Sequence, residues 1–373
     1  MITLKELHSK KELKTFVKFP FKLYKNSKFW VPPIISQEVK TFNKNENPVF
    51  KNADARFFLA IQNNEIVGRI ATIINWIEVK EQGVKKMRFG WYDTIDDIEV
   101  TKALLEKVNS IGKEHNLDFI EGPIGFSNLD KVGLLTDGFD HIGTMITWYN
   151  HPYYVQHLEK LGFVTEKKYI ESKFKFADID PNNFNRIQAL IKKRYELRSV
   201  KFNSNKDILD YTDQMFDLFE ASHAKLSSFV AINEAQKNYF KKKFLPFLNP
   251  EFVQFVVDKN DKLVAFAIVT PSFAEALQKM NGKLFPLGFK HLIHAKKKSK
   301  AITFYLIGVH PEYQNKGLTS IIFHEYYNVF AARGVIDCIR GPELADNTAI
   351  HKLWKHFNPK VHRRRSTFKK DIA

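Results

Sequence analysis

Apolar and polar positions along this chain follow two rhythms, and the order in which they alternate runs twice. Residues 2–7 read as a strand and residues 8–33 as a helical hairpin that Pro32 and Pro33 bring to an end. ARFFLAIQ (55–62), a turn at Asn63-Asn64 and EIVGRIATIINW (65–76) read as a β-hairpin. A strand at 87–95, an amphipathic helix at 99–116, the strand LDFIEGPIG (117–125) and a glycine-bearing loop to Gly138 follow. A helix at 153–163 and a strand at 168–176 close this half. After Pro181 the spacing predicts helices over 185–200, 208–226 and 232–248, then a second hairpin from 251 to 270. TFYLIGV (303–309) is apolar on both faces, as a buried central strand should be, and leads through a polar turn to a helix starting near Gly317. The strand DCIRGPEL (337–344), a helix at 346–357 and a last strand in KVHRRRSTFKKDI, its outward side chains basic, complete the chain.

The doubling can be traced residue by residue. Asp118-Phe119-Ile120-Glu121-Gly122-Pro123 matches Asp337-Cys338-Ile339-Arg340-Gly341-Pro342, and an Asn stands at the same later position in each half, Asn128 and Asn347. Both matches follow a predicted helix, so duplication is the better account. A chain of 373 residues is long enough for two cores, and the expected division is 1–178 and 179–373, each a mixed α/β sheet domain. The alignment also separates the halves. The position equivalent to Gly317 is Ile98, behind an acidic loop with Asp93, Asp96 and Asp97 that would repel an anion. The stretch Gln314, Asn315, Lys316 and Gly317 has the opposite character. A glycine-bearing polar loop between a buried strand and a helix offers free N–H groups, the positive end of a helix dipole and a lysine, which together suit a phosphate. A plain strand–turn–helix joint that binds nothing is the alternative.

PEYQNKGLT resembles the pyrophosphate-binding signature of the GNAT superfamily of acyl-CoA-dependent N-acyltransferases. Gln314 takes its first position and Gly317 its second, while Thr319 stands where Gly or Ala is usual. Asn347 and Leu353 match a later family feature, and Trp354 occupies the place of a Tyr that commonly acts as general acid. FVKFPFKLYKNSKFWVPPI (16–34), FGWYD, GPIGFSN, GLLTDGFD and YNHPYYVQHLEKLGF extend the likeness to the bacterial ceramide synthase-like group of that superfamily. The resemblance implies two tandem GNAT-like domains, with acyl-CoA held by the C-terminal one. It implies transfer of an acetyl or fatty acyl group from acetyl-CoA or long-chain acyl-CoA to an amine, a sphingoid base or another lipid amine among the acceptors, without a metal. Backbone near Ile307 and Val309 would orient the thioester. Gln314, Asn315, Lys316, Gly317, Leu318 and Thr319 would hold the pyrophosphate, and Asn347 would touch the CoA side of the site. Proton-transfer candidates are Glu343 and His351 as bases and Tyr327 as acid. Each has a plain alternative: a strand-end carboxylate, a helix-surface imidazole, a core phenol. A catalytically silent GNAT-fold protein that binds ligand or a membrane surface is the rival reading.

Charge adds partners to this picture. A net +17, from 58 Lys and Arg against 41 Asp and Glu, favours CoA, anionic lipid head groups or nucleic acid, or is a solvated basic surface. No groove-reading or base-stacking motif accompanies the charge, so nucleic acid is disfavoured. Residues 273–300 form an insertion, and the piece opening at Leu284 and closing at Lys300 is apolar and then lysine-rich. It reads either as a peripheral membrane contact or as a packing lid. One cysteine, Cys338, excludes an internal disulfide. The start of the chain has no apolar h-region, and no run approaches the roughly 18 apolar residues of a membrane span, so a cytoplasmic protein, or one peripheral at the inner membrane surface, is expected. The loop from Gly122 to Gly138, with Ser127, Asn128 and Asp130, either lines a substrate cleft or only shapes turns.

Overall fold

The computed structural model describes residues 1–127, 129–224 and 229–372. Asn128, one half of the expected pair with Asn347, lies outside them. Thirteen strands are found among the described residues: β1 (Ile2–Glu6), β2 (Ala53–Gln62), β3 (Glu65–Asn75), β4 (Lys86–Thr94), β5 (Phe119–Gly122), β6 (Leu134–Asp137), β7 (Val164–Lys175), β8 (Arg198–Val200), β9 (Val253–Val257), β10 (Leu263–Pro271), β11 (Ala301–Val309), β12 (Asp337–Leu344) and β13 (Lys360–Asp371). They join in one mixed sheet in the order β1-β2-β3-β4-β5-β13-β7-β12-β11-β10-β9-β8, with β6 added to β13.

The two halves enter this sheet from opposite ends with the same wiring. In each, antiparallel hairpins lead to a parallel pair, β4 with β5 and β11 with β12, and a long helix crosses between the members of the pair. Parallel neighbours need such a crossover, which explains the helices Ile98–Glu114 and Thr319–Arg333. The second of these buries Ile321, Ile322, Phe323, Tyr326 and Phe330 among residues of β9 and β10. At about 1.5–3 kcal/mol for a fully buried large apolar side chain, that face alone fixes the helix on the sheet. The closing strands are exchanged: β7 of the first half lies beside β12, and β13, the end of the chain, lies between β5 and β7.

Four expectations need correction. The helix expected over 208–226 is two, Asn205–Leu209 and Thr212–His223, with residues 225 and 226 outside the described ones. The opening hairpin is one helix, Lys10–Leu23, with a Ser9/Glu12 capping box, and the second helix, Ile35–Thr41, begins only after the prolines. The helix expected over 185–200 is Asn182–Arg194, and its last residues are instead the edge strand β8. The basic side chains of β13 are not all outward. Arg363 and Arg365, two apart and hence on one face, are fully buried, while Arg364 between them is exposed.

Those two arginines share one buried carboxylate. Arg363 Nη1 lies 3.4 Å from Glu171 on β7, and Arg365 Nε donates to it. Their other N–H groups reach backbone carbonyls of the loop over the sheet: Arg363 donates to His141 O (2.9 Å) and Arg365 to Gly133 O (3.2 Å) and Trp148 O (2.6 Å). Arg88 adds Gly125 O at 2.9 Å and pairs with Glu78. A layer of buried ions thus fastens the backbone at Gly125, Gly133, His141 and Trp148 down onto the sheet. Burial pushes the Glu171 carboxyl up, but Arg365 and Arg363 outweigh it and leave it below the ordinary range; Glu78 is held at about 2 by Arg88 and Lys86 against its burial.

Removing one member of such a set leaves uncompensated buried charge, at a cost of about 3–5 kcal/mol. Glu171→Gln should lower stability by that order in urea unfolding, with Arg363→Met and Arg365→Met costing less when combined with it than alone. Carboxyls depressed in the folded state contribute stability above the unfolded range near pH ~4.3, and that contribution is lost as pH falls toward their folded values. Stability should therefore drop between about pH 4 and 2, and the drop should be shallower in Glu171→Gln.

Candidate functional site: a cleft where two parallel strands part

β11 and β12 pair only from Ala301 to Phe304 and from Asp337 to Arg340. Both strands then bulge. Opposite β10 the register steps from Val269↔Phe304 to Ile268↔Leu306, so Tyr305 is an extra residue. Opposite β7 it steps from Arg340↔Ser172 to Glu343↔Ile170, one extra residue at Gly341-Pro342. Bulges bend the strands that carry them, and these two bend apart. From Tyr305 to Val309, β11 therefore shows β12 a backbone edge with no strand against it.

A cleft of about 270 Å³ opens in this gap. Its floor is Tyr305, Leu306 and Ile307 on one side and Gly341 to Leu344 on the other, with Asn347 and Ile350 beyond. The helix Thr212–His223 brings Phe219 and His223 to it. That helix can come so close because residue 308 is glycine: a Cβ there would meet Phe266 at 2.4 Å and the Ser222 hydroxyl at 2.9 Å. The first half contributes the opposite wall with Lys86, Arg88, Ser127, Asp130, Lys167 and Tyr169. Ser127 and Asp130 of the glycine-bearing loop thus lie on the cleft.

Nine residues, 310–318, join β11 to its helix. Asn315 (φ 61°) and Gly317 (φ 79°) are left-handed there, which a glycine adopts without strain. Gln314 to Gly317 are exposed, and the helix, starting at Thr319 rather than Gly317, carries no side-chain cap. The N–H groups of Asn315, Gly317, Leu318 and Thr319 have no acceptor among the described residues. Lys316 extends over the rings of Tyr195 and Tyr313, 5.5 Å from each centroid, and no carboxylate pairs with it among the described residues. Gln314 Nε2 donates to Val309 O (3.3 Å), and Leu318 is buried as the helix's first anchor.

The other sequence candidates divide. Glu343 lines the cleft; burial raises its carboxyl above the ordinary value although Arg340 clamps it. His351 Nδ1 is 4.0 Å from Glu343, but its Nε2 faces the carbonyls of Leu344 and Ala345, 3.2 Å from each. Asn347 lines the cleft and caps its helix, accepting from Ile350 N at 3.3 Å. Tyr327 is not brought to the cleft: its ring packs on Phe176 (5.1 Å) and Phe184 (5.8 Å). Trp354 is core, with Phe304 at 4.7 Å, and Cys338 is wholly buried. His223 was not singled out from sequence. Its Nδ1 lies 2.8 Å from the Ser222 hydroxyl and 2.9 Å from Phe219 O. Because Ser222 itself donates to that carbonyl (3.0 Å), Nδ1 is assigned the proton and Nε2 is the acceptor nitrogen, and burial lowers the pKa below 6.5. No local signal marks it, since its role depends on the fit at Gly308.

The equivalent place in the first half is closed. β4 and β5 pair for three residues, one fewer than β11 and β12, and stop, but Ile124 N still donates to Phe89 O (2.7 Å). Trp91 fills the remaining space against Phe126 and Trp148, with ring centroids 5.3 and 5.5 Å away. Only residues 95–97 join β4 to its helix, whose Asp97 caps Glu99 N at 2.9 Å. Thr94 N donates to the Tyr154 hydroxyl (2.9 Å), and Tyr24 ties that hydroxyl to Asp93.

No family model matches the chain. It is 24% identical over 374 residues to Protein YghO of Escherichia coli (strain K12), covering 98% of this chain and 94% of that one. It is 22% identical over 308 residues to the bacterial ceramide synthase of Caulobacter vibrioides, covering 81% and 79%. Among solved structures it matches a tandem GNAT protein from the clavulanic acid biosynthesis pathway with a TM-score of 0.60 at 9% identity, over 100% of this chain and 99% of that one. A GCN5-related N-acetyltransferase from Sphaerobacter thermophilus matches with a TM-score of 0.52 at 8% identity, over 100% and 96%.

The geometry at His223 can be checked directly. In an NMR titration the imidazole signal lost in His223→Gln should have a midpoint below pH 6.5 and show the neutral Nδ1–H tautomer at pH 7. A midpoint above 6.5 would mean that the ring is solvated or paired with a carboxylate instead.

Proposed function

From a chain with the tandem GNAT fold, we propose an acyl-CoA-dependent N-acyltransferase that works in the second half. The division proposed is a first domain, 1–178, without a CoA loop and a second, 179–373, with one. One contrast carries the reading: the β11–β12 gap is open and ends in a nine-residue loop with free N–H groups, while the β4–β5 gap is plugged and ends in three residues. A pantetheine arm carries amides and can lie along the unpaired edge of β11 near Ile307 and Val309 as an added strand would. The pyrophosphate would sit at residues 314–319, where the helix dipole, the free N–H groups and Lys316 coincide. Asn347 lines the other side of the cleft and would face the pantetheine.

In the transfer, a neutral amine attacks the thioester carbonyl carbon. The C–N bond forms, the C–S bond breaks, CoA leaves as thiolate and takes up a proton, and the amine nitrogen loses one. Glu343 and His223 both face the gap and are proposed as acceptors of that proton. Glu343 owes its basicity to burial; His223 is neutral at pH 7 because of its own burial. His351 positions Glu343 and does not touch substrate. Positioning in the cleft supplies much of the rate.

The acceptor's class is less constrained than the reaction. A lipid amine, a sphingoid base among them, is the finer reading. It is supported by the ceramide synthase relative and by the insertion, where Phe285 (71% exposed), Leu287 (59%) and Ile293 (48%) stand out beside exposed lysines of the helix Gly288–Lys298. That surface suits a peripheral contact with anionic lipid. No helix among the described residues is long and apolar enough to cross a membrane.

Calorimetric titration of acetyl-CoA and palmitoyl-CoA tests the cofactor. Both should bind the wild type, and Gly317→Glu, which puts a carboxylate and a strained φ into the cradle, should weaken them by about tenfold or more. Glu343→Gln and His223→Gln should bind CoA normally and lose about 100-fold or more in turnover at whichever residue is the base. A folded wild type that binds neither thioester would leave a silent scaffold as the better account.

A further inference from the structure

The cleft is lined and backed by buried charges from both halves. Four carboxylates stand at or behind the lining: Glu78, Glu121, Asp130 and Glu343. Five cations answer them. Arg340 clamps Glu343, Lys243 lies 3.6 Å from Asp130, and Arg88 takes Glu78. Lys86 bridges Glu78 (2.9 Å) and Glu121 (3.1 Å). Glu121 is already bonded to Lys86 and to the Thr367 hydroxyl (3.0 Å) when Lys167 approaches it at 3.5 Å. Lys167 is thus a second cation on Glu121, and its ammonium makes no hydrogen bond among the described residues, although its side chain is only 17% exposed.

Two residues along β7 on the same face, about 7 Å away, stands Tyr169. It is opposite Leu344 of β12, at the lip of the gap, and lines the cleft. Its hydroxyl has no partner among the described residues, and burial first, then the carboxylates of Glu121 and Asp346, keep the phenol protonated, so its O–H is offered to an acceptor. Both side chains reach the cleft only because the closing strands are exchanged. A cation with free donors and a free phenol, side by side in a partly dry cleft, recognise an anion.

We propose that Lys167 and Tyr169 form an anion subsite for the acceptor, so that the amine acylated here also carries a carboxylate or a phosphate, which among lipid amines selects anionic ones over a plain sphingoid base. This rests on the acyl-transfer reading for the word acceptor and on geometry alone for the anion. Lys167, Tyr169, His223 and Glu343 all line the one cleft, so the anionic group and the reacting nitrogen would share it. Phe219, Phe229 and Leu306 leave an apolar wall for whatever else the acceptor bears.

Matched short amines test it: 3-amino-1-propanol, 4-aminobutyrate and 3-aminopropyl phosphate, titrated by calorimetry into the protein with and without saturating CoA. Both or either of the anionic amines should bind about tenfold or more tightly than the alcohol, and the tighter of them identifies the group as carboxylate or phosphate. Lys167→Met should erase the preference, Lys167→Arg should restore most of it, and Tyr169→Phe should reduce it, all with CoA affinity unchanged. Equal binding of the three amines, or a preference that survives Lys167→Met, would overturn the proposal. Failure of CoA itself to bind would count against acyl transfer only, since the titration without CoA still reads the anion preference.

Discussion

A β-strand that outruns its neighbour leaves a row of backbone donors and acceptors that water or a ligand must satisfy, and β11 does this from Tyr305 to Val309 in the middle of a sheet. The condition is imposed by two bulges, one at Tyr305 and one at Gly341-Pro342, set opposite each other. Everything else at the cleft answers to it. The helix that ends at His223 packs closely because of Gly308, the loop 310–318 lies at the far end of the exposed edge, and β12 carries Glu343 and Asn347 along the other bank.

The first half shows what the same wiring becomes without that condition. Its parallel pair stops after three residues where the other stops after four, yet a backbone bond at Phe89, the ring of Trp91 and a three-residue connection leave no edge to occupy. Its contribution is of another kind. Through the exchange of β7 and β13 it supplies a wall of ions, and the arginines of β13 fasten the loop that roofs the wall. A layer of buried charge is a poor source of net stability, because desolvation offsets most of the attraction. Its presence between the halves fits a role in holding polar side chains at fixed places beside the cleft, Lys167 and Tyr169 among them.

Much of this was legible in the sequence where a local pattern sufficed. DCIRGPEL is β12 to the residue, the doubled Asp-x-Ile-x-Gly-Pro marks the paired strands, and the loop from Gln314 to Thr319 has the open backbone its composition suggested. What failed had non-local causes. Nothing in the pattern of β7 or β13 says which neighbour each takes, so the exchange was invisible. Three consecutive arginines read as a basic surface, although their alternation places Arg363 and Arg365 on the face of Glu171, and only knowledge of the β7–β13 pairing makes that count. Of the two readings of Tyr327, general acid or core phenol, the core one holds; its packing on Phe176 and Phe184 depends on a helix, Asn182–Arg194, brought from far upstream. His223, Lys167 and Tyr169 come from elements distant in the chain, and no motif connects them.

The central claim is that the second gap is occupied by a thioester and the first is not. Amide hydrogen exchange with and without saturating palmitoyl-CoA reads both gaps in one experiment. The account predicts protection across residues 305–309 and 314–320 and none across 89–99. Protection of 89–99, or tight binding that leaves 314–320 unchanged, would contradict it.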